Sequence, residues 1–221
     1  MGIFVAWLSV ILFHLPGQAF LWTGESAEII PQSGYRLSAL TQLKLSNGTG
    51  LNLAAGLRTG WTESTTYGAF IGLGDTDFFG NAHLKWTPIP DFESQPAVGF
   101  KFEGLLARKS SDTQFGARVH GIVSKKFERS SGLWIPFASL PLGILTGAGR
   151  NDFISNLALG SEYFPKKMSH WSFTAEVGLN LSQSFSYAMA IVSYDLDGQN
   201  SPNSFSDTPA TPRRPTRKIG R

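Results

Sequence analysis

Apolar and polar residues alternate with a period of two in segments of about ten residues between positions 34 and 196. In the clearest segment, every second residue from Trp171 to Leu181 is apolar, and the intervening residues are polar or glycine. Successive side chains of a β-strand point to opposite faces. Each segment therefore predicts a strand with one apolar and one polar face.

Ten such segments are predicted, joined by short turns such as Asn47–Gly50 and Gly74–Asp77. This series predicts an all-β fold, an antiparallel up-and-down barrel over residues 33–196. The least regular segment, from Leu133 to Thr146, is apolar almost throughout and contains two prolines, which cannot donate to a sheet. We expect it to be irregular or bulged. Eight strands is the alternative if it forms a plug or a loop, or if the third segment merges with its neighbour.

The polar faces of the predicted strands carry ionised groups of both signs. Such groups are costly in hydrocarbon but can pair with one another inside a narrow lumen. They are predicted to form a structural ionic network in the lumen, made of Arg36, Lys44, Arg58, Lys85, Lys101, Glu103, Arg118, Glu162 and Glu176.

Aromatic residues concentrate at the strand ends on the apolar faces. Rings of this kind form girdles where a membrane barrel meets the two interfaces. The predicted girdle consists of Trp61, Tyr67, Trp86, Tyr163, Trp171 and Tyr187. The alternative is a soluble, lipocalin-like barrel with its apolar faces turned inward around an apolar ligand. Strand length favours the membrane, because a soluble strand has about 5–6 residues and a membrane strand about 9–11.

The N-terminus resembles an export signal. Its apolar run, Ile3–Phe13, is shorter than the ~20 residues of a membrane-spanning helix. Pro16 and Gly17 follow, and small residues precede a predicted cleavage after Ala19. No Lys or Arg precedes the run, and the alternative is a buried helix of a soluble domain. Residues 1–19 are thus predicted to be a signal peptide, and residues 20–32 an N-terminal lead-in.

The C-terminal tail, residues 197–221, is rich in proline and basic residues and is predicted to be disordered. Its charges could bind an acidic partner such as peptidoglycan or anionic lipid, or could simply be solvated. They also contribute to the net charge of +3 and the pI of about 9.2. No aromatic and basic platform accompanies them, so no nucleic-acid partner is expected.

Composition limits the chemistry. Cysteine is absent, which excludes disulfides, thiolate metal sites and a cysteine nucleophile. Charged residues make up only 16% of the chain, which is low for a soluble surface.

The remaining candidates for catalysis or metal binding do not form a site. His120 and Ser124 lie about 13 Å apart along one strand, beyond hydrogen-bonding reach. A pair of His83 with Glu103 across adjacent strands is expected to be structural, and Asp75 and Asp77 resemble an ordinary acidic turn. No catalytic residue, metal site or cofactor is predicted.

The signal sequence, the alternating strands of residues 33–196, their aromatic ends and the absence of cysteine resemble small bacterial outer-membrane barrels of the OmpA/OmpX type. The resemblance implies a transmembrane barrel in the outer membrane of a Gram-negative bacterium. It also implies contact with outer-membrane lipid and lipopolysaccharide and insertion by the barrel-assembly machinery. It is a likeness of architecture and transfers no site residue. One departure is that a long tail follows Tyr194, whereas such barrels often end on an aromatic residue.

Three functions are compatible with these features. The first is a non-enzymatic barrel with a side-chain-filled lumen, serving envelope structure or partner binding, because barrels near eight strands are just wide enough to be filled. The second is a narrow, porin-like pore or transporter for small polar solutes. The third is a lipid-modifying enzyme, for which Ser124, His120 and His83 are the residues to substitute.

Overall fold

The structure is a computed structural model that describes residues 21–46, 48–109, 111–147 and 149–196. No helix in these ranges has the length and hydropathy to cross a membrane. The described strands are β1 (Tyr35–Lys44), β2 (Gly50–Thr62), β3 (Thr65–Gly74), β4 (Phe78–Ile89), β5 (Ala97–Lys109), β6 (Asp112–Ser124), β7 (Phe127–Arg129), β8 (Gly132–Gly147), β9 (Arg150–Pro165), β10 (Trp171–Ser182) and β11 (Tyr187–Asp195).

Each long strand pairs antiparallel with its neighbours in the chain, and two further pairings close the sheet. β1 pairs with β11, and β6 pairs with β8 past the three-residue β7, which only extends a hairpin with β8. The result is a closed antiparallel barrel of ten strands. The prediction of an all-β up-and-down barrel of about ten strands is confirmed, and the alternative of eight strands is wrong.

The proline-containing segment is a strand and not a plug or a loop. β8 keeps one register against β6 from Phe137 to Gly147, and Pro141 lies opposite His120 within this pairing. Against β9 the register before and after Pro141 is the same. The expectation of a bulge was wrong because a missing proline donor removes single hydrogen bonds, while the partners on both sides of β8 hold it in place.

The tilt of the strands sets the width of the lumen. When the strand pairing is followed once around the barrel, it returns to β1 about 12 residues from where it started. With ten strands, this shear number of about 12 corresponds to a tilt of the strands of about 40° from the barrel axis. Barrels of about eight strands are just filled by side chains. A ten-stranded barrel has room for more than its own inward side chains.

The apolar faces of the strands form the exterior. Leu53, Ile71 and Phe115 are each more than half exposed, whereas Arg58, Lys85 and Lys101 are 1–2% exposed. This orientation is the one predicted for a barrel in lipid, and it is opposite to that of a lipocalin-like barrel, which keeps its apolar residues inside.

The exterior differs between the two ends of the barrel. One end, the chain-end rim, carries the start of β1 and the end of β11; the other, the turn rim, carries the ends of β1, β3, β8 and β10. The outward Trp and Tyr side chains of the described residues all lie toward the chain-end rim: Tyr35, Trp61, Tyr67, Trp86, Trp134, Tyr163, Trp171 and Tyr194. Toward the turn rim their place is taken by residues such as Leu73, Phe78 and Phe153. Five of the predicted girdle residues, Trp61, Tyr67, Trp86, Tyr163 and Trp171, therefore share one rim.

Tyr187 was predicted for the girdle and lies instead inside the barrel, fully buried. On β11 the larger apolar residues Tyr187, Met189 and Ile191 point inward, and Ala188 and Ala190 point outward. Both faces of this strand are apolar, so alternation alone does not say which face meets lipid. Space for the tyrosine ring comes from Gly178 on β10, since a Cβ there would lie 2.1 Å from a ring carbon of Tyr187.

The one-sided girdle makes a prediction for tryptophan fluorescence in bilayers. Trp61, Trp86, Trp134 and Trp171 should be quenched most by lipids brominated close to the headgroup, because amphipathic rings at one rim lie at the interface. A variant that keeps only Trp22, with Phe at the other tryptophans, should resist quenching by any brominated lipid, because Trp22 is 1% exposed inside the barrel. If lipids brominated near the bilayer centre quenched these four tryptophans most strongly, this arrangement would be contradicted.

Candidate functional site

Residues 21–31 run through the lumen of the barrel and are called the strap below. The strap enters at the chain-end rim, where the adjoining Gln32 forms a β-bridge with Gly60. It ends near the turn rim, where the carbonyl of Leu21 accepts a hydrogen bond from the side chain of Gln42, on β1. Residues 21–27 are all buried. Residues 21–31 of the predicted N-terminal lead-in therefore lie inside the barrel.

The strap has no strand partner along most of its length, so its buried backbone groups need other hydrogen-bond partners. Side chains of the barrel wall supply them. Glu176 accepts hydrogen bonds from the amides of Thr23 (2.9 Å) and Gly24 (2.7 Å). The Lys85 ammonium donates to the carbonyls of Ser26 (2.9 Å) and Glu28 (2.6 Å). The wall thus binds the strap much as a protein binds an extended peptide.

Glu25 lies near the middle of the strap and is buried, with 2% exposed. Its Oε2 lies 2.8 Å from Lys85 Nζ and 3.5 Å from Arg58 Nη1. Its Oε1 lies 3.3 Å from Lys101 Nζ and 3.3 Å from His83 Nε2. One carboxylate therefore faces basic groups from β2, β4 and β5, and we call these four side chains the Glu25 pocket.

A second carboxylate, Glu103 on β5, links neighbouring strands of the wall. Its Oε2 accepts a hydrogen bond from Arg118 Nη2 at 2.7 Å. His120 Nε2 lies 2.9 Å from the same oxygen, and the two form an ion pair when the imidazole is protonated. Its Oε1 accepts a hydrogen bond from the amide of Asn81. All four groups are less than 10% exposed.

A third cluster closes the seam between the first and last strands. Arg36 on β1 contacts Asp195 on β11 through Nε at 2.5 Å and Nη2 at 3.2 Å. Its Nη1 contacts Glu162 on β9 at 3.0 Å. Glu162 also accepts a hydrogen bond from the hydroxyl of Ser26, which connects this cluster with the strap.

The structure places all nine residues of the predicted ionic network inside the barrel, each 5% exposed or less. Eight of them fall into the contacts just described. The ninth, Lys44, lies at the end of β1 and faces Asp75 Oδ2 at 3.5 Å. Glu176 has neutral partners, since besides the two strap amides it accepts a hydrogen bond from the Tyr187 hydroxyl at 2.6 Å.

Toward the turn rim the lumen is apolar. Trp22 of the strap packs edge-to-face against Phe70 and Phe79, with ring centroids 5.6 and 6.1 Å apart. The same cluster of buried residues contains Leu21, Leu105 and Tyr187. The lumen therefore has an ionic layer and an apolar layer, and the strap contributes side chains to both.

Sequence reasoning missed two acids of the site, Glu25 and Asp195. Glu25 lies outside the alternating segments, and nothing in the local sequence marks it as lumenal. Asp195 continues the inward positions of β11, and correct placement of Tyr187 would have found it. The available signal was the excess of basic over acidic residues in the predicted network, which requires a further carboxylate.

The residues considered for chemistry contact the strap. The Ser124 hydroxyl accepts a hydrogen bond from the amide of Ala27 at 3.2 Å, and His120 Nδ1 lies 3.3 Å from the Thr23 hydroxyl. His83 pairs in register with Glu103 but turns toward Glu25. Within the described ranges, no group of three or more His, Asp or Glu residues could hold a metal ion.

A closed barrel with an apolar exterior, an interfacial aromatic band and a polar, filled interior is a transmembrane β-barrel. No protein-family model and no curated protein matches the chain.

Among solved structures, a de novo designed transmembrane β-barrel has 10% identity and a TM-score of 0.40, with 76% of this chain and 100% of that one covered. A bacterial polysaccharide outer-membrane secretin has 13% identity and a TM-score of 0.44, with 73% and 64% covered. The β domain of the Bordetella autotransporter BrkA has 10% identity and a TM-score of 0.48, with 74% and 99% covered.

The Glu103 cluster makes a prediction for stability. Glu103→Gln should lower the free energy of unfolding by about 3 kcal/mol or more, because it leaves Arg118 buried without its carboxylate. The matched control is Glu63→Gln at an exposed turn, which should change it by about 0.5 kcal/mol or less. Urea unfolding in detergent measures both. Equal effects of the two substitutions would show that the buried cluster does not stabilise the fold.

Proposed function

We propose that the chain is a non-enzymatic, integral outer-membrane β-barrel protein of a Gram-negative bacterium, with a lumen that the strap closes at rest. The observation that carries this proposal is the course of residues 21–31 through the barrel. The strap fills the space that ten strands leave over, and its Glu25 forms ion pairs with the basic groups around it. The protein then contributes to envelope structure or binds a partner at its rims.

The absence of enzymatic function is supported by the burial of the candidate groups. His83, His120 and Ser124 are each 5% exposed or less, and the strap covers all three. A lipid substrate approaching from the exterior would have to cross the sheet to reach them.

The outer-membrane location rests on the strand architecture and on export. Cleavage after Ala19 would leave one residue before Leu21, which is 1% exposed inside the lumen. The exterior would contact lipid and lipopolysaccharide, and the barrel-assembly machinery would insert it. The basic tail, residues 197–221, lies outside the described residues; we propose that it follows the chain-end rim into the periplasm, where peptidoglycan or another acidic partner could bind it.

Export makes a prediction for the N-terminus. Protein extracted from outer membranes should begin at Phe20, because retention of residues 1–19 would require them to pass from the filled lumen across the turn rim. Intact mass and N-terminal sequencing measure this. A mature chain that still begins at Met1 would contradict both the signal peptide and this reason for it.

A closed lumen makes a prediction for conductance. Refolded protein in a planar bilayer should show no steady openings, because the strap and its ion pairs block the passage. A variant that lacks residues 21–31 is the comparison, and it should conduct if it folds as judged by a heat-shift gel. Steady openings of the unaltered protein at low voltage would contradict the closed barrel.

The second candidate function is a narrow pore for small polar solutes. It is favoured by the way the strap is held in the ionic layer, through hydrogen bonds and ion pairs and without strand pairing. Such contacts can be exchanged for water or solute when the strap moves. The conductance experiment separates this candidate from the closed barrel.

A further inference from the structure

The Glu25 pocket contains more positive charge than the wall of the barrel can balance. Arg58, Lys85 and Lys101 are each 1–2% exposed. Among the described residues, Glu25 is the one carboxylate within ion-pair distance of any of them. A buried charge without a partner is strongly unfavourable. The three cations therefore depend on an anion that comes from outside the sheet.

The pocket also has the geometry to bind a carboxylate. Each oxygen of Glu25 faces two basic groups: Oε2 faces Lys85 and Arg58, and Oε1 faces Lys101 and His83. Arg58 Nε, both ring nitrogens of His83 and both oxygens of Glu25 are buried and make no hydrogen bond, so the carboxylate is held by the surrounding charge. Arg58 Nε is thus a donor of the wall that the side chain of Glu25 does not use.

The barrel wall holds two of these groups, Arg58 and His83, in place independently of the strap. Arg58 Nη2 donates to the hydroxyls of Ser38 at 3.0 Å and Ser193 at 3.2 Å, and His83 stacks on Phe70 with ring centroids 6.1 Å apart. Glu25 belongs to the strap, which has no strand pairing there. Lys85 and Lys101 also donate to carbonyls of the strap. Arg58 and His83 are therefore the fixed part of the pocket, and Glu25 moves with the strap.

We propose that Arg58, His83, Lys85 and Lys101 form a binding site for a small carboxylate anion, in which Glu25 is the resident ligand. A free carboxylate such as acetate takes the same position when the side chain of Glu25 is removed or the strap moves aside. The site gives the lumen a preference for anions over cations. It requires the strap to lie in the lumen, but it does not depend on whether the resting barrel conducts.

The test is rescue of a Glu25→Ala variant by acetate. The substitution leaves the four basic groups facing a space that one acetate can fill. Acetate at about a hundred times its dissociation constant should shift the folding equilibrium about a hundredfold toward the folded barrel. Unfolding in urea at pH 7 is followed in detergent with increasing acetate, and chloride at equal ionic strength is the reference. In the double variant Glu25→Ala/Lys85→Met, about ten times more acetate should be needed for the same stabilisation.

The matched control is Glu176→Ala. This carboxylate is equally buried and also binds the strap, but its hydrogen bonds come from two amides and a tyrosine hydroxyl. Acetate should stabilise Glu25→Ala and should stabilise Glu176→Ala no more than chloride does. If Glu25→Ala does not fold in chloride, the folded fraction on a heat-shift gel becomes the measurement, and acetate should raise it.

Two outcomes would overturn the site. One is an acetate effect on Glu25→Ala that equals the effect of chloride, or a folded fraction that acetate fails to raise. The other is equal rescue of Glu25→Ala and Glu176→Ala, which would reflect a general effect of acetate on the folded state. Openings of the unaltered protein in a bilayer would contradict the closed barrel but would leave this result unchanged.

Discussion

The interior of this barrel depends on the pairing of one carboxylate, Glu25, with basic groups that belong to three different strands. The strands alternate so that charge points inward, because the exterior must be apolar to lie in lipid. Charge buried in the lumen has to be paired. The wall supplies carboxylates for Arg36 and Arg118, and the strap supplies the carboxylate for Lys85 and its neighbours.

The number of strands explains why a strap is needed. Side chains alone fill a barrel of about eight strands, and ten strands leave a wider space. The strap occupies that space with two kinds of contact, Trp22 against aromatic rings near the turn rim and Glu25 among cations farther down. Closure of the lumen and pairing of the buried cations are thus two effects of the same segment, and a movement of the strap would change both together.

The barrel fold could be predicted from the sequence, but the strap inside the lumen could not. Alternation predicted the strands and the inward charges because each strand carries that signal by itself, as Trp171–Ser182 shows. Three features needed tertiary structure. Tyr187 points inward because Gly178 opposite it leaves room, β8 tolerates its prolines because partners flank it, and Glu25 becomes lumenal because residues 21–31 turn back into the barrel. The position of Glu25 depends on contacts between residues far apart in the sequence, and a local sequence pattern does not contain that information.

The location of the strap can be measured directly, because the chain has no cysteine and a single thiol can report on one position. Ser26→Cys places the thiol in the middle of the strap, and Ser131→Cys places it at an exposed turn of the chain-end rim. In the folded barrel, a charged methanethiosulfonate reagent should modify Ser131→Cys rapidly and Ser26→Cys only after unfolding. Modification of both thiols at the same rate in the folded protein would contradict a strap that lies within the lumen.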